Sequence, residues 1–322
     1  MSKLSLPILR LQNSTTTNAI STHLSQNPHF LKLSQHELKL TQQRDDEDGQ
    51  KLIQGIELAI SKNVLLRLPA TPHYEPVYVD GKTPCDVAKE IIGKCRGVGD
   101  EGSGGGGVIV LCGLSGTGKG TTVSQLKSDL SGSGERGVVC WSNGNIFRSV
   151  TLLSTTWCEK EGKPLEDALS PGQLSSFMDM LSFVRIGGKW DTIISGLGFD
   201  NERVSLIQNT LLKSPQVSKN IPTVAKETQG EVVKFAADAI GKMTAEEEGL
   251  VVLLEGRSPT VDYVVTDNRF ELRLKDESVI GTRRAAQRLM GGVTKKVGDG
   301  AEDVEALLME ELEMMVNEIG ED

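Results

Sequence analysis

Val108-Ile109-Val110-Leu111-Cys112-Gly113-Leu114-Ser115-Gly116-Thr117-Gly118-Lys119-Gly120-Thr121-Thr122 is the stretch on which the reading of this 322-residue chain turns. Five apolar residues read as a buried strand. A glycine-rich turn follows, and then a segment that suits a helix. The spacing is Gly-four-Gly-Lys, with Gly120 where a hydroxyl is usual. A strand entering such a turn and then a helix aims backbone N–H groups at phosphate oxygens. The candidate nucleotide-binding set is therefore Gly113, Ser115, Gly116, Thr117, Gly118, Lys119, Gly120, Thr121 and Thr122. Lys119 would neutralise the outer phosphates. Thr121 is the nearest hydroxyl for a Mg²⁺ shell.

Working outward, Gly137-Val138-Val139-Cys140-Trp141 and Leu250-Val251-Val252-Leu253-Leu254 read as further buried strands. Tyr263-Val264-Val265 and Phe270 to Leu274 follow them as strand candidates. A long helical region is expected from Phe147 to Ile194, broken near Pro164 and Pro171, and another from Glu227 to Ile240. Continuous apolar strands separated by helices predict an α/β class. The expected architecture is a three-layer P-loop NTPase fold with a central parallel sheet and an N-terminal accessory region. In such a sheet, ligands bind beyond the carboxyl ends of the strands.

Three segments fall at those ends. Ser142-Asn143-Gly144-Asn145-Ile146-Phe147-Arg148 follows the second strand. Gly144 would let the chain turn close to a ligand, Asn143 would cap a helix or contact a base or sugar, and Arg148 would reach an acceptor phosphate. Glu255-Gly256-Arg257 follows Leu254. Glu255 is placed to hold a metal-bound water and Arg257 to bridge phosphate groups. In the segment from Ile280 to Leu289, a helix would stack Arg284 and Arg288 at i, i+4, beside Arg283. Each of these also has a bland reading: a cap, a structural ion pair or a solvated arginine.

In order and type, these pieces resemble the bacterial-type cytidylate kinases among the nucleoside monophosphate kinases. That family's Gly-x-Ser-Gly-x-Gly-Lys-Gly-Thr loop stands here as Gly113 to Thr121. Its Gly-x-Ile-aromatic-Arg segment matches Gly144 to Arg148, and its Asp-Gly-Arg-Asp is similar to Glu255-Gly256-Arg257-Ser258. Asp267 corresponds to a later aspartate of the family, and Arg283 and Arg284 resemble its paired arginines. The likeness covers roughly residues 108 to 290. It implies transfer of the γ-phosphoryl of ATP to CMP or dCMP, with Mg²⁺. Lys119, Arg148, Arg257, Arg284 and Arg288 would be the catalytic cations, Asn143, Gly144, Arg148 and Arg257 the acceptor contacts, and Thr121 and Glu255 the metal side. The chain departs from the family at Asn143 and Ser258, where carboxylates are absent, and in the lid. There Lys295 and Lys296 follow Arg288 without a further arginine. No base-reading set stands out between Asp191 and Pro222; Asn201, Arg203, Lys213, Lys219 and Asn220 are the candidates.

Two alternatives stand beside the kinase. One is a nucleotide sensor or structural subunit on a degenerate loop. The other is a kinase of a small phosphorylated metabolite. A GTPase-type switch lacks its Asn/Thr-Lys-x-Asp segment.

Residues 1–96 are expected to form an accessory region, α+β in type, with 97–107 a glycine-rich linker and 108–322 the kinase-like domain. Within the first region, Leu52 to Leu68 predicts a helix followed by a short strand at Val64 to Leu68. Arg44 to Asp48 reads as a solvated charged run. Thr83-Pro84 predicts a helix start. The first 36 residues lack Asp and Glu, but Asn13 to Asn18 is a poor helix former, so a targeting segment is the lesser reading. The expected compartment is cytoplasmic, with a mitochondrial or plastid address as the alternative. The net charge of −9 argues against a duplex-nucleic-acid binder, and no stretch reads as a membrane span. Cys85, Cys95, Cys112, Cys140 and Cys158 form no CxxC pair and read as free thiols. A helix from Glu302 to Glu321 carries Val304, Leu307, Leu308, Leu312, Met315 and Ile319 on one face. It is expected to pack on the sheet domain of a monomer. The N-terminal region and this acidic helix are the candidate contacts for a protein partner.

Overall fold

The computed structural model describes residues 5–98, 106–131, 137–296 and 304–320. The expected linker residues 99–105, and Glu302 and Glu321 of the predicted C-terminal helix, lie outside them. The chain divides into two compact units. One comprises Met1–Glu47, Leu114–Thr117 and Leu274–Asp322; the other comprises Asp48–Gly113 and Gly118–Arg273.

The larger unit is a three-layer α/β fold. Its strands are β1 (Glu75–Tyr78), β2 (Gly107–Gly113), β3 (Val138–Trp141), β4 (Leu181–Ile186), β5 (Lys189–Gly196), β6 (Phe199–Arg203), β7 (Val251–Glu255) and β8 (Asn268–Arg273). Five of them form a central sheet in the order β1-β8-β2-β7-β3, and every pairing in it is parallel. Side chains alternate across a strand. Val108 and Val110 of β2 join Val252 and Leu254 of β7 in one core with Ile146, Val150 and Leu153 of helix Asn143–Glu161. Val232, Ala236 and Ile240 of helix Pro215–Glu246 complete that layer. Ile109 and Leu111, equally buried, point to the opposite face, where helix Lys119–Ser131 packs on β2, β7 and β3 and against helix Pro84–Lys94. Burial on both faces explains why β2 and β7 are unbroken apolar runs.

Strand β1, expected within an accessory region, is the edge of this sheet, with Glu75 opposite Phe270. The helix after it starts as the sequence predicts. Thr83 accepts from the Asp86 backbone, and the Asp86 carboxylate accepts from the Thr83 backbone, a complete capping box. Val64 to Leu68 forms no strand, because the Val64 and Leu65 N–H groups both cap the Ala59 carbonyl, at 2.9 and 3.3 Å. Tyr263 to Val265 forms none either. Its turn wraps the buried Arg269, whose guanidinium donates to the carbonyls of Val261, Asp262 and Val264.

The expected helical region from Phe147 to Ile194 is overturned beyond Asp179. Short helices at Leu165–Ala168 and Pro171–Asp179 give way to an antiparallel sheet ordered β4-β5-β6. Gly187 and Gly188, at φ +57° and +79°, make the two-residue turn between β4 and β5, where both central positions need positive φ. Phe183 stacks on Trp190 at 5.3 Å and meets the edge of Trp141 at 5.1 Å, which fastens the small sheet beside β3.

The smaller unit is helical. Leu9, Ile20, Leu24, Phe30 and Leu33 pack with Ala285, Ala286, Leu289 and Val293 of helix Ser278–Lys296. Val304, Leu308, Leu312, Met315 and Val316 of helix Val304–Ile319 close this core. The C-terminal helix thus buries its apolar face among helices rather than on the sheet, as the sequence had suggested. Small residues allow the approach: a Cβ on Gly281 would stand 2.2 Å from the Ser34 carbonyl oxygen. The Asn13 to Asn18 stretch also departs from expectation, because Asn13 caps helix Ser14–His23 and Thr16 and Thr17 are buried. Helix Pro28–Ser61 begins in this unit and ends in the larger one.

Candidate functional site

In the parallel sheet all carboxyl ends lie on one edge, and the register brings three of the singled-out segments to it. Leu111 of β2 pairs with Glu255 of β7, and the Gly256 N–H donates to the Leu111 carbonyl at 3.0 Å. Leu254 pairs with Trp141, so Ser142 leaves β3 at the level of Glu255. The glycine turn leaves β2 two residues after Leu111.

Gly113, Gly116 and Gly118 hold φ of +141°, +89° and +88°, which L side chains avoid. The Thr117 hydroxyl donates to the Leu114 carbonyl at 2.8 Å and tightens the turn. Helix Lys119–Ser131 begins directly, with the Thr122 N–H on the Gly118 carbonyl at 2.9 Å. The Lys119 ammonium folds back to donate to the Gly113 carbonyl at 2.8 Å. Thr121 is exposed, whereas Thr122 is buried in the fold. A Cβ on Gly120 would meet Glu255 Oε2 at 3.7 Å. Where a phosphate-loop hydroxyl is usual, the chain therefore has open space bordered by a carboxylate. Among the described residues no group of three or more His, Cys, Asp or Glu is gathered to hold a metal.

On the neighbouring segment, Arg148 Nη1 lies 3.1 Å from where a Gly144 Cβ would stand, with Ser142 Oγ at 3.4 Å. The guanidinium therefore covers the glycine at the start of its own helix. Asn143 accepts from the Trp141 indole at 2.7 Å, and Asn145 donates to Gln208 at 3.1 Å. Both amides are thus oriented by neighbours.

The remaining candidates have local partners. Arg203 and the Ser205 hydroxyl both donate to Asp191, which is buried. Asn201 accepts from Ser195, Lys213 donates to Asn209, Asn220 donates within its own helix, and Lys219 is exposed. In the helical unit, Arg283 donates to the Gly116 carbonyl at 3.3 Å. Arg284 is half-buried, and Arg288 pairs with Glu37 at 2.8 Å and Glu318 at 3.2 Å.

Three acids escape the sequence reading. Ser115 donates through its N–H and its hydroxyl to the two oxygens of Asp45, each at 2.7 Å. Arg257 pairs with Asp48 at 3.3 Å. The run at Arg44 to Asp48 is therefore not simply solvated, and Asp45 is only 5% exposed. The burial of Ser34, Thr41 and Asp45 at helical spacings is the signal that identifies that face. The third acid is Asp262. It accepts from Ser258 at 3.2 Å and from the Tyr74 hydroxyl at 2.6 Å. Burial raises its pKa, against the opposing pull of Tyr74, Ser258 and Arg269. A carboxylate is thus present one helical turn beyond Ser258, while Asp267 is exposed.

No protein-family model matches this chain, and no curated protein matches it in sequence. Among the described residues no helix is long and apolar enough to cross a membrane.

Proposed function

We propose that this protein is a Mg²⁺-ATP-dependent phosphotransferase of the nucleoside monophosphate type, on a P-loop scaffold, with CMP or dCMP as the acceptor. The observation that carries the reading is the glycine turn between β2 and helix Lys119–Ser131, at the same sheet edge as Glu255 and the Ser142–Arg148 segment. Phosphoryl transfer asks for positioning and charge neutralisation rather than a covalent intermediate. In this reading the turn's N–H groups and Lys119 hold the donor phosphates, Lys119 exchanging the Gly113 carbonyl for phosphate oxygen. Arg148 and Arg257 grip the acceptor phosphate with planar forks. Arg283, which donates to the Gly116 carbonyl, and Arg284 beside it in sequence would add positive charge. Arg288 joins them only by leaving Glu37 and Glu318. Mg²⁺, when bound, would neutralise charge on the phosphate oxygens, with Thr121 and Glu255 as its protein-side neighbours. Asn143, Gly144 and the half-buried polar groups around them form the acceptor side.

The test is coupled ADP release with Mg²⁺-ATP across CMP, dCMP, UMP, AMP, GMP and small phosphorylated metabolites. Turnover that requires one acceptor and falls about 100-fold or more in Lys119→Ala is the expected outcome. The Asp48–Arg257 pair favours a second reading, a nucleotide-binding sensor without turnover. ATP binding with no acceptor-stimulated ADP release would select it.

A further inference from the structure

The turn that carries Arg257 is braced from across the sheet, and every residue of the brace belongs to the larger unit. Helix Ser258–Val261 is a single turn, too short to hold itself. It lies directly on the end of β7, because a Cβ on Gly256 would stand 2.5 Å from Val261 Cγ1. The Arg257 carbonyl accepts twice from Thr260, from its N–H at 3.0 Å and its hydroxyl at 2.9 Å. Ser258 is tied twice to Asp262. Its carbonyl accepts from the Asp262 N–H at 3.2 Å, and its hydroxyl donates to the two carboxylate oxygens at 3.2 and 3.3 Å.

Asp262 is itself anchored. The Tyr74 hydroxyl donates to it at 2.6 Å and accepts from Arg269 at 3.2 Å. Arg269 is buried, and its guanidinium carbon lies 5.5 Å from the centre of the Tyr74 ring. Tyr74 precedes β1 and Arg269 belongs to β8, two strands that lie beyond β2 from β7. A carboxylate and a guanidinium inside a fold carry a desolvation penalty that an apolar turn would avoid. What they add is direction, since hydrogen bonds constrain angles and apolar contacts do not. The backbone of Arg257 is thereby fixed at φ −101° and ψ 143°, while its side chain stays 30% exposed.

We propose that Asp262 is a positioning residue: held by Tyr74 and acting through Ser258, it sets the direction in which Arg257 meets the acceptor phosphate. This role rests on the phosphate contact given to Arg257 in the proposed function.

The test is steady-state kinetics on the full chain for the wild type, Tyr74→Phe, Asp262→Asn and Asp262→Ala, with circular dichroism as the check on folding. CMP, or the acceptor selected in the coupled assay, and Mg²⁺-ATP are varied separately. A brace that only stabilised the fold would change the active fraction, so apparent kcat would fall with both KM values unchanged. The positioning role predicts a rise of about tenfold or more in the acceptor KM of Asp262→Ala, because small misplacements of a binding group are costly, with the Mg²⁺-ATP KM nearly unchanged. Asp262→Asn keeps the shape and an acceptor oxygen, and Tyr74→Phe keeps the ring, so both should show smaller rises of the same kind. In an Arg257→Ala background, Asp262→Ala should raise the acceptor KM little further. If Asp262→Ala does not fold, Tyr74→Phe carries the comparison. An unchanged acceptor KM in every folded variant, or an equal rise in both KM values, overturns the positioning role and leaves the kinase standing. Absence of acceptor-dependent turnover in the wild type overturns both.

Discussion

Gly116 sits in the glycine turn after β2 at φ +89°, and a Cβ there would also meet Ile280 Cγ2 at 3.1 Å. Gly116→Ala therefore combines a disfavoured backbone with a tight contact and should cost about 1–3 kcal/mol. Urea unfolding of the variant measures it, and an unchanged midpoint would show that the turn is looser than its geometry. Lys119 illustrates the same scale for charge. Its ammonium donates to the Gly113 carbonyl, a neutral acceptor close by. In the proposed function, a phosphate oxygen would replace this neutral acceptor with a charged one, which would strengthen the hydrogen bond.

Among the elements, two glycines of helix Pro215–Glu246 give opposite predictions. Gly230 lies where this helix meets Ala59, and a Cβ on it would stand 2.2 Å from the Ala59 Cβ. Gly230→Ala should destabilise by about 1–3 kcal/mol through overpacking. At Gly241 nothing lies within 4 Å, so Gly241→Ala should stabilise by about 0.5–1 kcal/mol through helix propensity alone. Thermal unfolding of the two variants checks both signs, and a shared sign would show that packing does not separate them. The β4-β5-β6 sheet carries the other lesson at this scale. Pro164 and Pro171 read as interruptions of one long helix, yet they start short helices that end before Leu181. The Gly187-Gly188 pair between Val184 and Trp190 was the local cue for a hairpin. Apolar residues on both sides of it, Phe183 and Trp190 among them, fit helical and strand periods alike until the stacking partner is known.

For the whole molecule, stability should depend on pH through thiols held inside the fold. Burial pushes the Cys112 thiol up to about 12, with Glu271 adding to the shift, and burial likewise pushes Cys95 up to about 12. A thiol in the unfolded chain ionises near 8.5, about three and a half units lower. Above that value the unfolded chain sheds protons that the fold retains. The contribution is therefore full below about pH 8.5 and is lost as pH rises through about 12. For Cys112 the slope reaches up to about 1.4 kcal/mol per pH unit. The urea midpoint of the wild type should fall more steeply between about pH 8.5 and 10.5 than that of Cys112→Ala. Equal slopes would mean that the thiol ionises as readily folded as unfolded.

The sequence by itself determined the parts that depend on neighbours along the chain. The strands at 108–112 and 138–141, the glycine turn between Gly113 and Lys119, the Thr83 cap and the arginine helix are each specified by a few consecutive residues. Their causes are local: continuous apolarity, positive φ and a capping hydroxyl. Only the tertiary structure decided which distant residues meet. Asp45 reaches Ser115 across 70 positions, Asp48 reaches Arg257 across 209, and Tyr74 reaches Asp262 across 188. A charged run reads as solvated because a carboxylate carries no mark of a partner far along the chain. Burial becomes affordable only when folding brings donors to it, and those donors are fixed by packing rather than by pattern.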